Sequence, residues 1–175
     1  ETGSISSTQT PYSNSNCFQH YGVAVDSLTG HSYVAAEHCP RSGFNYTDVF
    51  VLKLNTSAAN YQVLWNVTGG ASTPTSTSYN AAKAVSISSS CSASTIHVVG
   101  SFTGTLTMNG AAPATGTSTS TKDAFMTLLS TSNGQASYVR TVGGASADDE
   151  LFSVLTDSNG YMFAAGTFKS NFTAF

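Results

Sequence analysis

The densest group of side chains able to do chemistry is Asp148-Asp149-Glu150, three consecutive carboxylates in a chain with nine acidic residues among 175. Hard cations take several oxygen ligands, so this run is a weak candidate calcium site. A solvated turn between two strands is the reading we prefer, and we expect no metal or other cofactor. Glycoside hydrolysis would need two carboxylates facing each other across a cleft, and nothing in the sequence points to such a pair. The four histidines are His20, His31, His38 and His97. His20 and His38 fall near one end of a hairpin whose turn carries His31, but a His20/His38 metal pair lacks a third ligand at any recognisable spacing. Those three read as surface histidines, and His97, inside a strand, as a structural one. No Ser-His-Asp spacing, phosphate-cradling glycine loop or nucleotide fingerprint occurs, so no catalytic set is expected. Trp65, eight Tyr and ten Phe are enough for a sugar-binding platform, yet most sit at strand positions where packing is the default use.

Cysteine placement says more. Cys17 precedes one strand and Cys39 follows the next. In an antiparallel hairpin the start of one strand lies beside the end of its neighbour, so a Cys17–Cys39 disulfide is expected. It would close a loop of about 20 residues and contribute about 3 kcal/mol. Cys91 belongs to a turn at the far end of the equivalent hairpin. Four glycosylation sequons begin at Asn45, Asn55, Asn66 and Asn171; Asn55 directly follows an apolar run and is expected on an exposed turn.

The elements that position these residues come from a repeat. Asp48-Val49-Phe50-Val51-Leu52-Lys53-Leu54 recurs 75 residues later as Asp123-Ala124-Phe125-Met126-Thr127-Leu128-Leu129, and Gly69-Gly70 recurs 74 residues later as Gly143-Gly144. A fixed offset marks a duplicated structural unit, and such units must stack to bury their apolar faces. Period-2 runs rich in β-branched and aromatic residues give four strands per unit. The first strands are 21–26, 82–87 and 152–156, and the second are 33–37, 96–101 and 161–167. The third are 49–54 and 124–129, and the fourth 61–67 and 137–142. Thr29-Gly30 and Ser158-Asn159-Gly160 mark the first turns. The third strands are apolar on both alternating faces, which requires sheets above and below them.

The expected fold class is therefore all-β, with four-stranded antiparallel β-propeller blades: two full repeats plus a partial third, as part of a larger propeller. A β-sandwich is the runner-up and leaves the duplicated phrase unexplained. Residues 1–16 read as a scar of secreted expression (Glu1-Thr2-Gly3) and a flexible polar lead-in; 17–79 are repeat 1, 80–149 repeat 2 and 150–175 the partial repeat 3. Segments 71–79 and 111–122, rich in Ser, Thr and Ala, read as loop insertions.

These residues resemble the extracellular β-propeller repeats labelled SBBP. Their order is an Asp-Ala-Phe string, Gly-Gly, an acidic run, an Asp-x-x-Gly turn and a small-Gly strand. Here that order is carried by Asp123-Ala124-Phe125, Gly143-Gly144, Asp148-Asp149-Glu150, Asp157-Ser158-Asn159-Gly160 and Ala165-Gly166-Thr167-Phe168, with Gly100-Ser101-Phe102-Thr103-Gly104-Thr105 as a further phrase. Copy one departs from it, with Glu37 at the place of Gly100 and Gly166 and no acidic run after Gly70. The resemblance implies secreted or surface-displayed propellers and supplies no catalytic residue.

Composition agrees. Only 9% of residues are charged, against about 25% in an average domain, while Ser and Thr make up 52 of 175. That surface suits a secreted, extracellular glycoprotein. A net charge of -3 gives no basic footprint for nucleic acid, and no apolar run is long enough for a membrane-spanning helix. The expected role is a non-catalytic structural, adhesive or protein-interaction module at a cell surface or surface appendage. Its expected partners are further blades, from the same protein or a partner subunit, and glycans. A lectin-like propeller is the alternative, and a propeller glycoside hydrolase or lyase a third reading.

Overall fold

The computed structural model describes residues 18–39, 47–56, 61–70, 78–88, 95–110, 114–115, 121–144 and 147–169. Within them the chain is all-β, and its strands run in chain order. The first unit supplies β1 (Phe18–Val25), β2 (His31–His38), β3 (Asp48–Asn55) and β4 (Gln62–Gly70). The second supplies β5 (Asn80–Ser88), β6 (Thr95–Phe102), β7 (Thr105–Met108), β8 (Ala114–Thr115), β9 (Asp123–Ser130) and β10 (Ala136–Val142), and the third β11 (Glu150–Thr156) and β12 (Met162–Thr167). Every strand expected from the sequence is present. Three antiparallel sheets result, ordered β1-β2-β3-β4-β7-β8, β10-β9-β6-β5 and β11-β12.

The first sheet corrects the expectation of four strands. β7 pairs with β4 through Gly69–Met108 and Gly70–Thr107, so a hairpin from the second unit extends the first unit's sheet to six strands. β8 lies inside the segment read as a loop insertion. β7 alternates as a half-buried strand should: Leu106 and Met108 are buried and Thr107 is exposed. A side chain at Gly69 would run into Met108 Cγ, 2.7 Å from its Cβ position, so that glycine makes the room that Met108 fills.

Matched bulges establish the repeat in the backbone itself. The first strands shift register between His20 and Gly22, between Ala82 and Ala84, and between Leu151 and Ser153. Tyr21, Lys83 and Phe152 are thus equivalent bulge residues. A second matched pair follows. The β3–β4 ladder shifts where Lys53 meets Trp65 and Leu54 meets Val63; the β9–β10 ladder shifts where Leu128 meets Tyr138 and Leu129 meets Ala136.

That register corrects two alignments by one residue. Gly100 pairs with Ala82 and Phe125, Gly166 with Leu151, and Ala36 with His20 and Phe50. Ala36, not Glu37, therefore holds the glycine's place in copy one. Likewise Thr68 pairs with Phe50 and Thr141 with Phe125, so Gly70 corresponds to Gly143 rather than Gly144. The reason is steric. A Cβ on Gly70 would lie 2.0 Å from Asp48 Oδ1, and one on Gly143 2.6 Å from Asp123 Oδ1. The aspartate that opens each third strand occupies the space beside a glycine on the fourth.

The sheets stack in order. β5 packs against β1, β2 and β3, and β11 packs against β5, β6 and β9. One apolar cluster joins Tyr33, Ala35, Val49 and Val51 of the first sheet to Val85, Val98, Phe125 and Leu129 of the second. Another joins Val99, Ala124 and Val142 of the second to Leu151 and Val154 of the third. β9 is accordingly buried on both faces, as its sequence requires.

Candidate functional site

Each carboxylate of the acidic run has partners within the protein. Asp149 is completely buried. Its Oδ2 accepts from Gly144 N at 2.9 Å and its Oδ1 from Lys169 N at 2.8 Å, while its own N–H donates to Lys122 O at 2.8 Å. Asp148 Oδ1 accepts from Lys122 N at 2.9 Å, and Glu150 Oε1 pairs with Lys122 Nζ at 3.1 Å. The turn is therefore a clamp, with Asp149 shut away from water and Asp148 and Glu150 half-buried. It fixes the exit of β10, the entry of β9 and the end of β12 to one another. Among the described residues no three His, Cys, Asp or Glu side chains gather in metal-binding geometry. Asp149→Ala should cost about 2 kcal/mol, because the buried Gly144 N–H and the Lys169 N–H both lose their acceptor. Denaturant melts of wild type and variant would measure it, and a stabilising response of the wild type to added calcium would instead restore the cation reading.

Asn80 plays the equivalent part between the first and second units. Its N–H donates to Thr47 Oγ1 at 3.1 Å and its Nδ2 to Thr47 O at 2.9 Å. It also hydrogen-bonds Asp48, but burial outweighs that bond and lifts the Asp48 carboxyl from 3.8 to about 6. A carboxyl whose pKa is higher folded than unfolded stabilises the fold in acid and loses that contribution as pH rises through the folded value. In a dry site the gap corresponds to about 3 kcal/mol; partial exposure to water cuts this to about 1 kcal/mol. Asp48→Asn should therefore gain about 1 kcal/mol relative to wild type as pH rises from about 4 to 7, read from paired urea melts. Burial holds His38 and His97 below the usual histidine range. They act in the opposite sense, and their effects cancel in that comparison.

The most concentrated chemistry lies at the bulges, where the first two sheets meet. Lys83 Nζ stands 3.5 Å from the Tyr21 ring centroid and 5.4 Å from that of Tyr79, and Lys122 Nζ stands 4.2 Å from Tyr79. Two cations thus cover two aromatic faces, a contact that strengthens as water is excluded. Burial lowers the Lys83 ammonium, opposed by the Glu37 and Glu150 carboxylates. Burial first, then Glu37, raises Tyr21 to about 12; burial also raises Tyr79, helped by Glu37 and Tyr21. Glu37 is buried with its Oε2 lacking a hydrogen-bond partner among the described residues, and Glu150 Oε2 accepts from Ser101 Oγ at 3.3 Å. Two ammonium groups and two carboxylates balance, so the cluster binds sheet to sheet without net charge. A bulge aims its residue out of the ladder, which is how Tyr21 and Lys83 meet across the seam.

A second polar contact secures the same seam further out. Lys53 Nζ and Trp65 Nε1 both donate to Thr131 O, at 2.8 and 2.9 Å, on the turn joining β9 to β10. Tyr33 lies 5.9 Å from Trp65, ring to ring. Trp65 is therefore packing, as expected.

The remaining sequence candidates are dispersed. Cys39 follows β2 and is disulfide-bonded, while Cys17 and Cys91 lie outside the described residues. So do Asn45 and Asn171. Asn55 is the half-buried last residue of β3 rather than the first of an exposed turn, and Asn66 is exposed on β4 with Thr68 beside it. His20 is exposed on β1 and His31 opens β2. His38 departs from the surface reading: it is buried, its ring 5.9 Å from that of Phe50. Phe102, its register equivalent, sits 6.3 Å edge-on to Phe125. His38 thus fills an aromatic slot. His97 is buried, its Nδ1 2.9 Å from Thr156 Oγ1.

The seam cluster escaped sequence reading because Tyr21, Lys83 and Phe152 share no residue type. Only the register makes them equivalent. No protein-family model matches this chain, and no curated protein or solved structure matches it.

Proposed function

We propose that this chain is a non-catalytic, extracellular module of β-propeller type, akin to the SBBP repeats, with a structural or adhesive role at a cell surface or surface appendage. The observation that carries the reading is how its scarce charged side chains are used. Asp149, Glu150, Lys83, Lys122 and Lys53 are all committed to holding one sheet against the next. The matched bulges and serial stacking of three sheets support blades. The bonded state of Cys39, together with the rung pairing Phe18 with His38, supports a Cys17–Cys39 link and hence an oxidising compartment.

Peptide mapping with and without reduction should recover Cys17 joined to Cys39; free thiols at both positions would remove the secreted assignment. Particles coated with the protein should adhere to cell surfaces. Adhesion should persist in the presence of competing sugars, and a glycoside panel should remain uncleaved. Glycan-array binding that survives removal of the protein's own glycans would replace the adhesive role with a lectin's.

A further inference from the structure

The outer strand of the first sheet has one side open. β4 pairs with β3 from Gln62 to Gly69, but β7 meets it only at Gly69 and Gly70. No other strand lies beside Gln62–Thr68 among the described residues. Gln62, Leu64, Asn66 and Thr68 are exposed there, Leu64 at 39%, while Trp65 and Val67 between them are held at the seam. Gln62–Val67 is a β-forming segment with no charge, no Pro and no Gly, the composition that pairs readily with copies of itself. An open edge of that kind invites another chain, and proteins usually guard it with charge or Pro. β10, the outer strand of the second sheet, shares the bulge of β4 and adds the exposed Arg140. In β4 the buried Val67 stands at that register position. What β4 carries is the sequon Asn66-Val67-Thr68.

We infer that Asn66 bears an N-linked glycan and that this glycan guards the open edge of β4 against pairing with another chain. Asn66 is exposed, whereas Asn55 is half-buried. Thr68 is exposed on the same face of β4, as strand alternation requires, so a glycan at Asn66 stands over the open segment and away from the seam. A lipid-linked oligosaccharide diphosphate supplies the sugar. Asn66 Nδ2 bonds to the anomeric carbon, and that carbon's bond to the diphosphate breaks. The lipid diphosphate leaves with the electron pair, and Nδ2 gives up one proton. The bulky, hydrated product keeps a second backbone from reaching the spacing of about 4.8 Å that strand pairing needs. The glycan presupposes the secreted assignment proposed for the chain, because its donor is met in a secretory compartment.

The test uses the chain secreted from eukaryotic cells. Enzymatic release of N-glycans in heavy-oxygen water, followed by peptide mass spectrometry, should mark Asn66 as occupied. Asn66→Gln and Thr68→Ala each destroy the sequon at an exposed position, with thermal melts to show that each variant folds as the wild type does. In sedimentation velocity both should self-associate at least about tenfold more tightly than the wild type. Adding Leu64→Lys to Asn66→Gln should return the wild-type behaviour, because a charge then guards the edge. If Asn66→Gln fails to fold, Thr68→Ala with and without Leu64→Lys gives the same comparison. Asn66 left unmodified in chains whose Cys17–Cys39 link has formed overturns the glycan and leaves the secreted assignment standing. Variants no more associated than the glycosylated wild type, or association that survives Leu64→Lys, overturn the guarding of the β4 edge.

Discussion

Gly100→Ala should destabilise the fold by about 2–4 kcal/mol, at the upper end of what overpacking costs. The added Cβ would lie 1.9 Å from Ala81 O and 2.9 Å from Phe125 Cε1. The first of these is backbone, and it cannot rotate away. The β5 bulge brings Ala81 O to this point, and the bulge is also what aims Lys83 at Tyr21. Relief of the clash therefore requires moving the strand that builds the seam. Gly166 stands in the same relation to Glu150 O, at 1.9 Å. Ala36 occupies the equivalent place in the first unit and already carries a Cβ, so Ala36→Gly should cost only the backbone entropy of a glycine in a strand, about 0.5–1 kcal/mol. Urea melts of the two variants measure the contrast. Equal small losses at both positions would mean that the bulge is soft and does not fix the seam.

Much of the scaffold is legible before any coordinates. Strands such as β3 and β9 announce themselves through apolar residues on both faces, and the first turns through Thr29-Gly30 and Ser158-Asn159-Gly160, each preceded by an aspartate, Asp26 and Asp157. In those turns the aspartates accept from Leu28 N and Asn159 N at 2.9 Å, and the glycines take φ of 70° and 87°. What stays hidden has physical causes. β7 is a four-residue strand within a Thr-, Ser- and Gly-rich stretch, and its buried Leu106 and Met108 are too few to show a period. Glycine identity misleads the alignment of Gly69-Gly70 with Gly143-Gly144, because pairing is set by bulges and by the space that Asp48 and Asp123 occupy. The acidic run looks solvated because three adjacent charges ordinarily seek water. Here backbone N–H groups of Gly144, Lys169 and Lys122 take that water's place at Asp149 and Asp148, and two of the donors, Lys169 and Lys122, are distant in sequence. The seam cluster is invisible for a related reason. A backbone irregularity, not a side-chain type, is what Tyr21 and Lys83 share.

Phe125→Ala is the substitution expected to cost most, about 3–5 kcal/mol for a buried ring replaced without collapse of its surroundings. Phe125 has no exposed surface, belongs to the cluster joining the first and second sheets and meets Phe102 edge-on. Its strand also carries Ala124, which belongs to the cluster joining the second and third sheets. The middle sheet is thus the element that both seams share. Where repeats are stabilised by nearest-neighbour interfaces, loosening the middle one uncouples both of its neighbours. Phe125→Ala should therefore lower the midpoint of one cooperative transition, with fluorescence of Trp65 in the first sheet and circular dichroism of the whole chain moving together. Val154→Ala, confined to the outer seam, should leave the Trp65 transition near its wild-type midpoint while the third sheet melts earlier. Identical shifts of both probes in both variants would mean that the three sheets form one undivided core, and not a stack held together seam by seam.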